Sequence, residues 1–199
     1  MSNIGVYESG VRELVRELMF KMETDRLWLR DFQPSDMQSY ISFTATPDYQ
    51  KYYSEEDSCR EKSEFLVNQF IAQAQDDPRR KYQLAVIEKS SNQLIGTCGI
   101  RVENDRQASL GFGIAVNYQG YGYAFEAARS MICFGFQALG VHRVYAETLA
   151  ANHSAVSLCE HLRMRKEGHF IEHRFFKGCW WDTVVYALKK DEWSSVEAL

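Results

Sequence analysis

Hydrophobic and polar positions follow two spacings along the chain, and the spacing distinguishes strands from helices. Alternation at every second position predicts strands at 24–31, 82–88, 93–103, 109–116 and 142–149, and then a hairpin of 170–176 and 180–189. Apolar residues three or four apart predict a short helix opened by residues 34–36, a helix before Pro78, and helices at 121–139 and 154–162. This order of elements predicts a single mixed α/β domain.

The helix before Pro78 has the most detailed signal. Residues 54–57 resemble a capping box, with Asp57 in place of the usual Glu or Gln at its end. The predicted apolar face of this helix consists of Phe65, Leu66, Phe70 and Ile71. Gly140 suits the C-cap of the predicted helix at 121–139, because glycine accepts a left-handed backbone.

The first 21 residues are predicted to form a helical extension. Its apolar stripe consists of Val11, Leu14, Val15, Leu18 and Met19. The stripe must be buried, either on the domain or on a second subunit of a homodimer; alternatively, the natural chain begins at Met19 or Met22. The expected organisation is an extension at 1–21, a domain at 22–193 and a tail at 194–199.

Composition and charge exclude several classes of protein. The 199 residues are 45% hydrophobic and 25% charged, as in a globular protein, and no apolar run reaches the length of a membrane helix. Five scattered cysteines without a CxxC motif favour a reducing cytoplasm over a disulfide framework, and they predict no metal site. A net charge of −4 without a basic stripe disfavours nucleic acid and favours a cationic partner, such as an amine or a basic peptide.

The glycine-containing turn at 117–124 is the most informative segment. It lies between a predicted strand and a predicted helix, and Gly120 and Gly122 permit backbone conformations that a side chain would block. A helix that begins there directs unpaired N–H groups and the positive end of its dipole at the turn, so a pyrophosphate would fit. A plain tight turn is the other interpretation, since the segment lacks the features of a Walker loop or a Rossmann turn.

The same turn resembles the signature of a known superfamily. Gln119, Gly122 and Ala124 match the Q/R-x-x-G-x-G/A pattern of the GNAT acetyltransferases, and residues 118–127 resemble the branch that acetylates ribosomal-protein N-termini. Further matches to that branch occur in order at 24–30, 94–96, 139–143, 164–168 and 180–182. The resemblance covers residues 22–193 and is specific because the matches are ordered along the chain.

The resemblance implies a GNAT fold, in which a mostly antiparallel central sheet is splayed at the cofactor cleft and flanked by helices. It implies transfer of an acetyl group from acetyl-CoA to a primary amine. The pantetheine arm is expected to contact the backbone of Ile114, Ala115 and Val116 and the side chain of Asn152, for which a plain helix N-cap is an equally good interpretation. The pyrophosphate is expected at the N–H groups of Gln119, Gly120, Tyr121, Gly122, Tyr123 and Ala124.

Four residues depart from the family pattern. Ser109 replaces the glutamate that often serves as general base, and Ala155 and Cys159 replace the usual Ser or Tyr acid. Arg163 replaces a glycine, at a cost of roughly 1 kcal/mol if its backbone is left-handed. The candidate replacement acid–base groups are Glu103, Cys159, Glu172 and His173; solvated strand positions for the glutamates and a core position for Cys159 are the competing interpretations.

The expected acceptor is an N-terminal peptide amine, including that of a basic protein. A polyamine, antibiotic or amino-acid amine is the alternative within the enzyme class. A non-catalytic acyl-CoA-binding module and a phosphate-binding regulatory protein are the alternatives outside it. The aromatic residues expected at the acceptor cleft, unless they only pack, are Tyr49, Tyr52, Tyr53, Trp180 and Trp181.

Deleting residues 1–21 should lower the melting temperature or split an oligomer while leaving acetyl-CoA affinity nearly intact. Each large apolar side chain of the stripe stabilises by roughly 1.5–3 kcal/mol at most when it is buried. Thermal unfolding, size-exclusion chromatography and acetyl-CoA titration of the truncated protein measure these effects. A truncated protein with an unchanged melting temperature and assembly state would show that the segment is an undocked tail.

Overall fold

The computed structural model describes residues 19–197, and an eight-stranded sheet lies at its centre. The strands are β1 (Lys21–Glu23), β2 (Leu27–Asp31), β3 (Lys81–Glu88), β4 (Gln93–Val102), β5 (Gln107–Ile114), β6 (Arg143–Leu149), β7 (Arg165–Phe176) and β8 (Cys179–Lys189). The helices are α1 (Met37–Thr44), α2 (Pro47–Gln50), α3 (Arg60–Gln73), α4 (Tyr123–Gln137), α5 (His153–His161) and α6 (Lys190–Glu197).

The sheet has the order β1-β2-β3-β4-β5-β6-β8-β7, and all neighbouring strands are antiparallel except β5 and β6. Strands β5 and β6 are parallel because α4 connects them as a crossover. Their pairing covers only residues 107–109 and 143–145. The expected mixed α/β fold, with a mostly antiparallel sheet that is splayed at one place, is therefore confirmed.

Each face of the sheet has its own apolar core. Helix α4 covers one face, where Met131 and Ile132 are fully buried against strand residues such as Ile100. Gly135 allows this close packing, because a Cβ there would lie 2.6 Å from the Ile100 side chain. Helices α1 and α3 cover the other face, where Tyr40 and Phe70 pack against the first strands.

The first described residues belong to the sheet. Strand β1, which the hydrophobic pattern did not predict, pairs with β2. The ring of Phe20 contacts those of Tyr82 and Phe134, and its N–H donates to the Asp31 carboxylate at 3.0 Å. Of the predicted N-terminal stripe, the residues from Val11 to Leu18 lie outside the described residues.

The helix before Pro78 differs from its prediction at both its start and its face. Ser54 accepts a hydrogen bond from the Asp57 N–H, but α3 begins only at Arg60, and its N-cap is Cys59. Phe65 is 57% exposed, whereas Val67, which was not assigned to the face, is fully buried. The buried face is centred on Ser63, Val67 and Phe70, so Phe65 lies to the side of the face drawn from the sequence. None of the helices in residues 19–197 combines the length and hydrophobicity needed to cross a membrane.

Replacing Arg163 by Gly should stabilise the protein by about 0.5–1 kcal/mol, because the residue is left-handed. Its φ is 61°, and its exposed side chain makes no hydrogen bond within the described residues. Gly140 is a matched control with a φ of 65° and nothing within 4 Å of an added Cβ. Gly140→Ala should destabilise by roughly 1 kcal/mol. Denaturant unfolding measures both changes, and an Arg163→Gly protein that is less stable than the parent would contradict this account.

Candidate functional site

The site lies where β5 and β6 separate. Their pairing ends at Ser109 opposite Tyr145, and residues 110–114 of β5 have no partner strand on that side. Residues from both strands beyond this point, including Gly111 and Glu147, line a cavity of about 520 Å³. An unpaired strand edge of this kind offers N–H and C=O groups to an extended ligand. The gap therefore has the form expected for the pantetheine arm.

The turn before α4 presents free backbone donors. Gly120 and Gly122 have φ values of 81° and 82°, which residues with side chains rarely adopt. The backbone N–H groups of residues 120–124 donate no hydrogen bond to another group in residues 19–197. A Cβ on Gly120 would have nothing within 4 Å, so the space in front of the turn is open. Free donors, the helix dipole and open space together fit a pyrophosphate.

The structure places the other predicted cofactor residues next to this turn. The Gln119 side-chain amide donates to the Ile114 carbonyl at 2.9 Å, so this side chain braces the end of β5. The Ala115 N–H donates to the Ile95 carbonyl, and its carbonyl accepts from the Tyr118 N–H. The N–H of Val116, by contrast, makes no hydrogen bond within the described residues, so it is the better candidate for a pantetheine contact.

Asn152 is the N-cap of α5, which is one of the two roles considered for it, and its contact with the pantetheine arm stays a prediction. Its Oδ1 accepts from the Ala155 N–H at 3.3 Å as the N-cap of α5, and the residue also lines the cavity. Ala155 and Cys159 line the same cavity, so the positions where the family carries its acid do face this space. Neither residue carries the Ser or Tyr hydroxyl that is usual in the family, so the expected general acid is absent from these two positions.

A polar clamp that sequence reasoning missed holds the turn. Arg26 donates through Nε to Glu126 at 2.7 Å and through Nη1 to the Tyr121 carbonyl at 2.9 Å. Thr24 donates its hydroxyl to the same carboxylate at 2.5 Å. Partial burial opposes ionisation, but the hydrogen bonds from Thr24 and Arg26 prevail and lower the pKa of Glu126. The clamp ties the loop before β2 to the first turn of α4.

Aromatic residues form one wall of the cavity, whereas residues 114–124 are not among its lining residues. The rings of Tyr49 and Tyr53 stack at 5.5 Å, and the Tyr49 hydroxyl reaches β5, where a Cβ on Gly113 would lie 2.3 Å from it. Desolvation and the neighbouring tyrosines raise the pKa of Tyr49 well above its usual value, so it stays a neutral phenol. Tyr40, a wall residue not singled out from the sequence, has its pKa raised mainly by burial.

Tyr52 and Lys177 connect this wall to the far side of the gap. The Tyr52 hydroxyl donates to the Ala151 carbonyl at 2.9 Å, and the Lys177 ammonium donates to the Gln50 carbonyl at 2.8 Å. We call these two contacts the bridge. Trp181 packs edge-on against Tyr52, and Trp180 is 58% exposed, but neither tryptophan lines the cavity as expected.

Polar side chains form the floor of the cavity on β3 and β4. Gln83 and Thr97 are only 5% and 7% exposed, and the Gln83 amide donates to the Thr97 hydroxyl at 2.7 Å. Arg101 donates through Nη2 to the Gln83 carbonyl oxygen at 2.9 Å. This floor was not predicted, because nothing in the sequence pattern separates these residues from solvated strand positions.

Of the four predicted acid–base residues, the structure places only Cys159 in the cavity lining. Burial is the main reason that the pKa of its thiol is raised, to about 12. Glu103 accepts a hydrogen bond from the Tyr145 hydroxyl at 2.8 Å, and the Glu172 N–H donates to Asp182 on the hairpin. His173 packs against the Phe170 ring, also away from the cavity.

The carboxylates that do line the cavity are those of Asp57 and Glu147. Glu147 lies on β6 just beyond the point of separation and accepts from Arg174 at 2.6 Å. Asp57 lies 3.4 Å from the Lys62 ammonium. Within residues 19–197, no group of three or more His, Cys, Asp or Glu side chains is arranged to hold a metal ion.

Comparison with known proteins gives a consistent result. The model of the acetyltransferase (GNAT) domain matches residues 26–165. The uncharacterised N-acetyltransferase YnaD of Bacillus subtilis (strain 168) is 29% identical over 178 residues, which cover 86% of this chain and 98% of the relative. Spermidine N(1)-acetyltransferase of Vibrio cholerae is 27% identical over 79% of this chain and 89% of its own.

A further relative resembles only part of the chain. The [ribosomal protein uS5]-alanine N-acetyltransferase of Escherichia coli (strain K12) is 31% identical over 85 residues, 43% of this chain and 44% of its own. Among solved structures, a GNAT-family acetyltransferase from Bacillus anthracis has a TM-score of 0.75 and 25% identity, covering 87% of this chain and 100% of that one. Spermidine N-acetyltransferase of Vibrio cholerae in complex with CoA and spermine has a TM-score of 0.73 at 22% identity, over 86% of this chain and 99% of that one.

Arg26→Gln should weaken acetyl-CoA binding about tenfold, because it releases the turn from Glu126 and the Tyr121 carbonyl. The variant should raise KM for acetyl-CoA and leave kcat nearly unchanged. With S-acetyl-pantetheine, which lacks the pyrophosphate, kcat/KM should stay within about twofold of the parent.

Arg60→Gln is the matched control, since Arg60 forms an exposed ion pair with Glu64 on α3. This variant should behave as the parent with both donors. An equal loss of activity with both donors in Arg26→Gln would show that the clamp supports the fold in general rather than the turn.

Proposed function

The chain belongs to the GNAT acetyltransferase family, and from that premise we propose that its acceptor is the α-amine of a peptide or protein N-terminus. The protein is an acetyl-CoA-dependent N-acetyltransferase. Acetyl-CoA supplies the acetyl group as an activated thioester. The proposal concerns the acceptor, and the charge balance of the cavity is the observation that carries it.

The cavity carries no excess of negative charge. Its two lining carboxylates are paired, Asp57 with Lys62 and Glu147 with Arg174. Arg101 adds a cation, which has no acidic partner within the described residues. A polyamine carries several positive charges and needs unpaired carboxylates to offset their desolvation. A peptide N-terminus brings only one positive charge near the reaction centre, and that charge is lost before attack.

The relatives include both kinds of acceptor. One is named as a spermidine acetyltransferase, and another as an acetyltransferase of an alanine of ribosomal protein uS5. Sequence identity alone does not decide between the two acceptors. The match to the spermidine acetyltransferase covers more of the chain, whereas the match to the uS5 enzyme has a slightly higher identity. The charges of the cavity favour the second kind. The aromatic wall, with its phenol hydroxyls at Tyr49 and Tyr53, suits the apolar and polar atoms of an extended peptide.

An α-amine acceptor requires little general acid–base catalysis from the protein. An α-amine has a pKa of about 8, so an appreciable fraction is neutral at pH 7. The Cys159 thiol, with a pKa of about 12, is a poor proton donor to a departing thiolate. We therefore assign Cys159 to the cavity lining rather than to acid catalysis. Positioning by the turn and by the splayed strands supplies most of the rate in this proposal.

An acceptor comparison tests the proposal. Short peptides with a free α-amine should be acetylated with a kcat/KM about tenfold or more above that for spermidine, because the cavity lacks unpaired carboxylates. The same peptides with a blocked α-amine and an internal lysine should react poorly. Release of free thiol from acetyl-CoA and mass spectrometry of the products measure both rate and site.

Gly122→Asp is the control for donor dependence, because a carboxylate in the turn repels the pyrophosphate. This variant should lose activity with every acceptor and lose the acetyl-CoA-induced rise in melting temperature. A parent enzyme that prefers spermidine over all peptides would overturn the proposed acceptor and leave the family assignment intact.

A further inference from the structure

Arg101 is the penultimate residue of β4 and lines the cavity. It stands opposite Ser109 in the β4–β5 register, and its Nη1 lies 3.8 Å from the position of a Cβ on Gly111. Because Gly111 has no side chain, a ligand in the gap between β5 and β6 has access to the guanidinium. Its positive charge also lowers the pKa of Tyr40, on the α1 side of the cavity, against the larger raising effect of burial. The residue therefore stands between the aromatic wall and the separated strands.

A buried polar pair fixes the orientation of this guanidinium. Gln83 and Thr97 lie in the centre of the sheet, where an apolar pair would pack at less desolvation cost. Thr97 donates onward to the Leu84 carbonyl at 3.0 Å, so the chain of hydrogen bonds ends on the backbone. Its other end is the Gln83 oxygen, which accepts from Arg101 Nη2. One donor of the guanidinium is thus used for positioning.

The remaining donors are available to a ligand. A guanidinium has five N–H donors, and Gln83 is the hydrogen-bond partner of Arg101 among the described residues. No carboxylate within residues 19–197 lies within ion-pair distance of it, although Asp57 and Glu147 line the same cavity. A planar, pre-oriented fork of donors matches the two oxygens of a carboxylate better than a single carbonyl oxygen.

We infer that Arg101 binds a carboxylate of the acceptor, so that the enzyme selects peptides with an acidic side chain next to the reacting N-terminus. This inference rests on the proposed function, since it specifies the same acceptor further. The acidic side chain of the peptide offsets the positive charge of Arg101, and the N-terminal amine is left free to reach the gap. A free amino acid carries a carboxylate as well, and the experiment separates that source from a peptide side chain.

The test compares three peptides that differ only in their second residue, Ala-Asp, Ala-Asn and Ala-Lys, together with free alanine and free aspartate. The parent enzyme should acetylate the Asp peptide with a kcat/KM about tenfold to thirtyfold above the Asn peptide, mainly through KM. Arg101→Gln should reduce this ratio to within about twofold, by loss of activity on the Asp peptide alone. Arg101→Glu should reverse the preference toward the Lys peptide.

Arg80→Gln is the matched control, because Arg80 is exposed outside the cavity and contacts Asn104. It should keep the parent preference. The acetyl-CoA-induced rise in melting temperature verifies that each variant is folded and binds its donor. Arg101→Lys keeps the charge without the fork, and it should recover only part of the preference.

The outcomes separate this inference from the proposed function. Peptides that react equally well in the parent and in Arg101→Gln, whatever their second residue, would overturn the role of Arg101 and leave the peptide acceptor standing. Free amino acids that react better than every peptide, with a loss in Arg101→Gln, would support the carboxylate contact and overturn the peptide. Spermidine as the best acceptor would overturn both.

Discussion

The early end of the β5–β6 pairing is the constraint on which the rest of the site depends. Three residue pairs join the two halves of the sheet, and beyond them each strand is held only by its outer neighbour. An unpaired backbone in the middle of a sheet is costly unless a ligand or water satisfies it. The gap therefore provides both the space for the donor and the free energy that a donor gains by filling it.

The sides of this gap that we assign to the donor and to the acceptor present different kinds of groups. On the donor side, backbone N–H groups around Gly120 and Gly122 and the dipole of α4 provide a fixed field that has no titrating group. On the side proposed for the acceptor, the cavity presents side chains such as Tyr49 and Arg101. A backbone site tolerates changes of side chain, whereas a side-chain site changes its ligand with each substitution. The relatives include a spermidine acetyltransferase and an acetyltransferase of ribosomal protein uS5, which differ in their acceptors.

Local signals in the sequence were sufficient for the mixed α/β class and for the glycine turn before α4, but not for the polar floor of the cavity. Alternation and glycine placement located β3, β4 and the turn, because these features depend on neighbouring residues. The left-handed backbone at Arg163 was expected only because the family carries glycine there. Phe65 was placed wrongly because the buried face includes the polar Ser63, which hydrophobic periodicity does not mark. The Arg26–Glu126 pair and the Gln83–Arg101 contact join residues that are far apart in sequence, and no single-sequence pattern contains them.

The bridge across the gap ends on main-chain atoms at both of its contacts. The Tyr52 hydroxyl and the Lys177 ammonium each bond to a carbonyl oxygen, at Ala151 and Gln50 respectively. Every residue type supplies that oxygen, so the identities of residues 50 and 151 are free to drift without loosening the connection. The loop that carries the aromatic wall is thereby fastened through Tyr52 and Lys177, whatever side chains stand at positions 50 and 151. During evolution, acceptor-facing residues can therefore be substituted one at a time while the two walls of the cleft keep their relative position.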